Sequence, residues 1–432
     1  VNQHELREIP AAEHDPARPA AGIRTFRALA FRDFRYLWLG QITNSASIWT
    51  EQVARPLLVL DLVPDPTQAA IHLGLVLGAR TLPQLGFGLI GGVFADWYDR
   101  RTLLLVSKTI SMLINIVFAA MLVMGIVELW HVYATTILRG IATSFDQPAR
   151  QALIPTLVPS ENVTNAVALN SASMQTMRIG GGFLAGILVA LSGMAGAFVA
   201  VALFSAGAVF FTLFLRVPPA PAVGDKSVGA AASSFWEGLK YGWHEIDLRG
   251  TFILTLVYFL LGMAYLQVFA PLFAKQVMGL GDEGYGIMIS VAGIGALIGA
   301  LWVATFSPTR GRGPLMLKFM AALGVLLIGF GASTYTPWVG LTFLAIALVG
   351  MIQSTFFALA NSVLLETTRV DMRGRVMGLL SLDRSAITLG GAIAGFLSAA
   401  IGPQIAQMLF GAGCILLAIV LATLLPSVRR LQ

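Results

Sequence analysis

The chain has 432 residues, of which 56% are hydrophobic and 12% charged, and its mean hydropathy is +0.78. An ordinary soluble protein carries about 25% charged residues, so the composition excludes that class and points to a polytopic protein of the lipid bilayer. The formal net charge of +6 does not imply a nucleic-acid partner. The basic residues sit in short turns between apolar runs, and no basic helix with interleaved aromatics occurs.

Residues 1–33 are polar, contain Pro10, Pro16 and Pro19, and lack the apolar core of a signal peptide. They are read as a cytoplasmic tail. Apolar runs then predict twelve helices near 35–61, 71–95, 103–126, 131–150, 163–190, 194–216, 251–274, 284–306, 314–334, 337–362, 375–400 and 404–426. The expected fold class is therefore an all-α membrane protein. The break at 217–250 opens with Pro218, Pro219 and Pro221 and continues with Phe235, Trp236, Lys240, Tyr241 and Trp243. Aromatics beside charges suit a helix on the membrane surface; docking of a partner protein is the alternative. This break separates a first half, 34–216, from a second, 251–426, and residues 427–432 form a C-terminal tail.

Of the 28 basic residues, five lie within predicted spans and one, Lys275, lies in the loops of the opposite side. The remaining 22 (28 less six) cluster on the side of both termini. The positive-inside rule places that side in the cytoplasm. Lys108 and Lys318 lie near inner helix ends, where they are expected to snorkel.

The two halves repeat weakly. Gly181, Gly182, Ala185, Gly186 and Gly193 match Gly390, Gly391, Ala394, Gly395 and Gly402 at a constant offset, and Arg100 matches Arg312 at nearly the same one.

The turn between the second and third runs reads Gly92-Val93-Phe94-Ala95-Asp96-Trp97-Tyr98-Asp99-Arg100-Arg101. A turn this short joins only neighbouring antiparallel elements. Its Gly-x-x-x-Asp-x-x-x-Arg-Arg pattern resembles the loop signature of the major facilitator superfamily, with Asp99 where that signature has Gly and Trp97 where it has a basic residue. Asp146-Gln147-Pro148-Ala149-Arg150, Asp371-Met372-Arg373-Gly374-Arg375 and Arg178-Ile179-Gly180-Gly181-Gly182 resemble segments of its efflux branch, which includes enterobactin and macrolide exporters. The resemblance implies two six-helix halves rocking about a central site, the parallel repeat known for this superfamily. It also implies a cytoplasmic gate formed by Gly92, Asp96, Arg100, Arg101, Asp146 and Arg150. In that gate Arg100 pairs with Asp146 and holds the outward-open state closed on the cytoplasmic side.

Five arginines fall inside the spans, Arg55, Arg80, Arg139, Arg178 and Arg384, against two acids, Glu51 and Asp383. Each such charge costs about 2.5–3.5 kcal/mol at the bilayer centre on insertion scales, so these residues are expected to face a polar cavity or a partner. Glu51 and Arg55 are spaced i,i+4 and would neutralise each other on one helix face. Arg139 resembles the fourth-helix arginine of proton-coupled exporters. Glu51 is the candidate proton carrier, and Asp383 is next. The formal excess of three positive charges predicts an anionic or zwitterionic substrate. Asn44, Asn115, Gln267, Gln353 and Asn361 are read chiefly as interhelical glue, and Tyr258, Phe259, Tyr265, Phe356 and Phe357 as packing or an apolar wall.

There is no phosphate-cradling Gly-x-x-x-x-Gly-Lys-Ser/Thr loop and no metal-ligand spacing among His4, His14, His72, His131 and His244. No enzyme signature and no cofactor are read. The expectation is a monomeric, proton-coupled exporter of a small molecule in a prokaryotic inner membrane, with both termini cytoplasmic. An importer of a small metabolite, or a membrane sensor or scaffold without transport, are the alternatives.

Overall fold

The computed structural model describes residues 24–217, 245–306, 311–368 and 373–424. Both tails and the aromatic stretch 235–243 lie outside the described residues. The described chain is helical, with no strand among the described residues. A short 3-10 turn, Arg24–Ala30, leads into α1 (Arg32–Leu62), α2 (Pro66–Trp97), α3 (Arg100–Val123), α4 (Leu129–Leu157) and α5 (Val163–Leu213). Beyond 218–244 come α6 (Ile246–Val257) with a run of π-helical turns to Val277, α7 (Gly281–Phe306), α8 (Arg312–Ser333), α9 (Val339–Thr367), α10 (Arg373–Ile401) and α11 (Pro403–Leu424).

Local chemistry accounts for the ends and breaks. Asp99 caps α3: its carboxylate accepts from the Thr102 N–H at 2.8 Å and the Thr102 hydroxyl at 2.7 Å. The acid at the unusual position of the loop signature thus starts a helix. α4 runs on to Leu157, seven residues past the expected end, with Pro148 and Pro155 inside it. Each proline gives up one i→i−4 bond, and the helix continues around the loss. α5 has 51 residues, too long for one straight span at 1.5 Å per residue. It breaks at Gly193, whose φ of 67° is in the left-handed region. The first arm runs parallel to α1, with the Trp38 indole donating to the Leu169 carbonyl and Trp49 against Gly181. The second runs antiparallel, with Ser47 bonded to Ser205 and Gly40 against Ala208 and Phe211. Gly402, the matching glycine of the repeat, also has a positive φ, 86°, and ends α10. Arg100 and Arg312 both open helices.

Around an apolar core, the outer surface is also apolar and charges are buried, unlike in a soluble protein. Val106, Ile110, Leu113 and Val117 of α3, and Leu409, Leu416 and Ile419 of α11, are exposed, whereas Glu51, Arg55, Arg139, Asp146 and Arg150 are buried. Apolar side chains outside and polar ones inside is the arrangement lipid demands. Seven described helical stretches are long and apolar enough to cross a membrane. α1 and α4 do not meet that measure, and they carry the buried Glu51, Arg55, Arg139, Asp146 and Arg150.

The helices before 218 meet those after 244 through backbones brought close by small residues. A methyl added at Gly74 of α2 would sit 2.5 Å from the Gly391 carbonyl oxygen of α10, one at Gly395 would sit 2.5 Å from that of Ala70, and one at Gly186 would sit 2.9 Å from Gly286. At the same end, the Lys275 ammonium bridges Asp61, 2.5 Å away at the end of α1, and Asp282, 2.8 Å away at the start of α7. At the Arg100 end, Arg100, Arg101, Asp146 and Arg150 make hydrogen bonds to residues of the first group. The bundle is thus closed between its two groups at the Asp61 end.

Candidate functional site

Near the middle of the bundle, α1 presents Glu51, Gln52, Arg55 and Pro56. α2 presents Leu73, Val76, Leu77 and Arg80, and α4 presents Thr136, Arg139 and Thr143. Gln267, from the middle π turn of the second group, completes the wall of a cavity of about 50 Å³. A buried water needs roughly 10–15 Å³, so a cavity of this volume has room for a few waters and must enlarge to admit an organic molecule.

One carboxylate organises the charges. Glu51 Oε1 accepts from Arg55 Nε at 3.0 Å and Nη2 at 2.5 Å, while Glu51 Oε2 pairs with Arg139 Nη1. The i,i+4 pair expected from spacing forms, and a second guanidinium from α4 shares its acid. All three residues are at most 7% exposed.

The three arginines differ in how far they are committed. Arg55 is used on every side: its Nη1 donates to the Val132 carbonyl (3.0 Å), Thr135 (3.1 Å) and Thr136 (2.6 Å). Phe118 and Phe198 lie against its guanidinium, with centroids 5.1 and 5.9 Å away. Arg139 holds Glu51 and donates to Asn115 Oδ1 at 2.7 Å. Asn115 donates in turn to Ser205 Oγ at 2.6 Å, and Ser205 meets Ser47 at 2.8 Å. That chain links α4, α3, α5 and α1, the glue role read for Asn115. Among the described residues, the Arg80 side chain makes one hydrogen bond, at 3.3 Å to Gln52 Oε1.

Backbone approach places Arg80 beside Arg139. A methyl at Gly140 would sit 2.5 Å from the Arg80 carbonyl oxygen, so only glycine lets α2 pack this closely on α4. Gly140→Ala is expected to cost about 1–3 kcal/mol, the scale of an overpacked site, and to move Arg80 away from Arg139. Thermal unfolding in detergent would show it as a lowered midpoint; an unchanged midpoint would mean that this contact is slack.

Of the other expected site residues, Arg178 lies in α5 and Asp383 and Arg384 in α10, with side chains outside the described residues. The same holds for Gly92 and Asp96 in α2. At the Arg100 end the expected Arg100–Asp146 pair is not the one formed. Arg100 donates to the Ala152 carbonyl at 3.2 Å, and Asp146 Oδ1 accepts from Arg150 at 3.3 Å, one helical turn away. Arg150 also donates to Asn170 at 3.0 Å, Arg101 donates to the Leu213 carbonyl at 2.8 Å, and Asp146 Oδ2 is buried without a hydrogen-bond partner.

Lys108 corrects the snorkelling expectation. It is 3% exposed and donates to Thr212 at 3.2 Å. Its ammonium lies beside Gly40 of α1, where an added methyl would be at an ordinary contact distance of 3.5 Å from Nζ. Lys318 is exposed as expected.

The aromatics of the second group pack on each other. Tyr258 stacks on Phe356 with centroids 4.8 Å apart, and Tyr265 meets Phe330 edge-on. None of them lines the cavity. Gln353 ties α9 to the π-helical run, accepting from Tyr265 at 3.1 Å and donating to the Gly262 carbonyl at 3.4 Å. The π turns were missed from sequence: hydropathy registers an apolar helix but not its pitch. Such turns free backbone carbonyls, and Tyr285 takes that of Leu266 at 3.1 Å.

The relatives of the chain agree with this architecture. The family model described as transmembrane secretion effector matches residues 23–432. The multidrug efflux pump Tap of Mycolicibacterium fortuitum is 29% identical over 88% of this chain and 92% of its own. An enterobactin exporter of Shigella boydii is 25% identical over 92% and 93%. Among solved structures, a D-xylose-proton symporter superposes with a TM-score of 0.70 over 94% of this chain and 98% of its own, at 16% identity, which speaks for the fold alone. A bilayer-embedded helical bundle, charges gathered about a central cavity and a family match over nearly the whole length lead to one conclusion: the chain belongs to the transmembrane secretion effector family of the major facilitator superfamily, and is a membrane transporter rather than an enzyme.

Proposed function

We propose that this protein is a proton-coupled exporter of a small organic molecule, drug- or siderophore-like, working by alternating access as a monomer in a prokaryotic inner membrane. Counting the two arms of α5 as two spans, and α6 with its π turns as one, gives twelve spans in two six-helix halves. The halves are 34–216 and 251–426, joined by the linker 217–250 and flanked by the tails 1–33 and 427–432. Both tails are cytoplasmic, and the Asp61 end faces outward.

The observation that carries the reading is the Glu51 carboxylate, divided between Arg55, which is enclosed on every side, and Arg139 on the cavity wall. A proton arriving at Oε2 competes with Arg139 for the same oxygen. Release of Arg139 would change the link between α1 and α4, so proton occupancy and cavity shape are tied together. The test is substrate accumulation in everted vesicles. A proton-driven exporter loads them when the interior is acidic, and loading only under the reverse gradient would identify an importer.

Gating at the cytoplasmic end completes the cycle. Asp96 would sit at the N-terminus of α10, where the helix dipole favours an anion. Arg100 would turn from the Ala152 carbonyl to Asp146, whose Oδ2 is unpartnered in the present state. Gly92, Arg101 and Arg150 would frame that gate, with Arg178, Asp383 and Arg384 contributing to the cavity at greater depth. Asp96→Asn is then expected to bias the protein toward the state described here, a severalfold change in cysteine labelling at both faces. Unchanged labelling would remove Asp96 from the gate.

A further inference from the structure

We infer that Arg80 is the substrate-recognition arginine of this cavity and that it takes a carboxylate or a similarly planar anion. The inference rests on the proposed transport reading of the same cavity and names the chemical class of its cargo.

Charge bookkeeping at the wall is the first ground. Among the described residues that line the cavity, Arg55, Arg80 and Arg139 face a single acid, Glu51, an excess of two positive charges (three less one) if Glu51 is ionised. Glu51 is already divided between Arg55 and Arg139. Among the described residues, no carboxylate lies within ion-pair distance of Arg80.

Donor bookkeeping is the second. A guanidinium carries five N–H donors in a planar fork and cannot lose its charge. Arg80 spends one of them, on the neutral Gln52 oxygen at 3.3 Å, near the long limit for such a bond. The other two arginines are held in networks. Arg55 is enclosed by a carboxylate, a carbonyl, two hydroxyls and two phenyl rings, and Arg139 by Glu51 and Asn115.

Placement is the third. The Arg80 backbone is pinned on Gly140, so its side chain departs from a fixed point into a cavity whose opposite wall is Gln267 of the second group. Thr143 and Gln267 supply neutral hydrogen-bonding groups around it. A fork with open donors, on a rigid backbone, in a water-poor cavity is the geometry that binds a carboxylate bidentately. An anionic cargo also suits export, because an inside-negative membrane drives one negative charge outward by about 2.3 kcal/mol per 100 mV.

The matched probes benzoate, benzamide and benzamidinium decide the matter, with binding to the full chain in lipid nanodiscs measured by calorimetry. Benzoate is expected to bind tightest. Arg80→Gln is expected to weaken benzoate by tenfold or more and leave benzamide unchanged. Arg80→Lys is expected to recover part of the loss, since a point charge replaces the fork. Preference for benzamidinium, no measurable benzoate binding, or benzoate affinity unchanged in Arg80→Gln would each overturn the inference. Proton coupling is read separately, from pH-driven flux in vesicles of a compound found by a transport panel. If that flux persists while Arg80 proves indifferent to benzoate, the anion inference falls and the exporter reading stands. If the flux is absent while Arg80 still governs benzoate, the reverse holds.

Discussion

Replacing Glu51 by glutamine is expected to abolish pH-driven transport while leaving exchange of substrate across the membrane. Glutamine keeps an oxygen that Arg55 can hold but cannot carry a transferable proton. Arg139 loses a charge-assisted bond, and bonds to charged groups contribute about 1.5–3 kcal/mol. Coupled flux should therefore fall by about tenfold or more. The substitution also leaves buried guanidinium charge less well compensated, and breaking a buried pair from one side can cost about 3–5 kcal/mol. Retained exchange is the control that the variant is folded. Arg55 should hold its place even so, because a carbonyl, two hydroxyls and two phenyl rings still surround it. Full pH-driven transport by Glu51→Gln would take the carboxylate out of the coupling step and make Asp383 the next residue to test.

A second large effect is expected from Gly74→Ala, which should open the Asp61 end. The added methyl would lie 2.5 Å from the Gly391 carbonyl oxygen and 3.0 Å from the Ala392 Cα. Both are backbone atoms, so no rotamer change relieves the clash, and α2 and α10 must separate. The clash exists only while the two groups are closed at that end. At about 1–3 kcal/mol for overpacking, the population ratio shifts by roughly 5- to 150-fold toward the state open at the Asp61 end. Cysteines placed at the two ends would report it, against a background in which the single native cysteine, Cys414, is fully buried. Labelling should rise at the Asp61 end and fall at the Arg100 end. Gly78→Ala is the control, since its methyl would meet the Thr388 methyl at an ordinary 3.4 Å. Equal labelling in Gly74→Ala and the unmodified protein would mean that the two groups do not part there.

Both variants work through contacts between helices, and that is where sequence and structure contributed differently. The amino-acid sequence alone determined that this is a helical membrane protein, because lipid solvates each helix separately and composition reports that solvation directly. It placed the end of one apolar run near 190 and the start of the next near 194, on either side of the break that the structure shows at Gly193. It determined the Glu51–Arg55 pair, because i,i+4 neighbours meet on any helix. It also located the charges that must find partners inside the bilayer.

Tertiary structure alone decided what those charges do. Arg139 reaches Glu51 from another helix, 88 positions along the chain, and no local spacing encodes that meeting. The three cavity arginines are alike in sequence. Packing makes one of them fixed, one shared and one open, through Phe118 and Phe198 around the first, Asn115 behind the second and Gly140 beneath the third. Lys108, near a helix end, has the stem length to snorkel, yet it is buried and bonded to the hydroxyl of Thr212. Arg100 takes the Ala152 carbonyl, 52 positions along the chain, and Asp146 takes Arg150 one turn away. A transporter's sequence encodes both states at once, and only a particular packing of its helices selects which set of contacts is made.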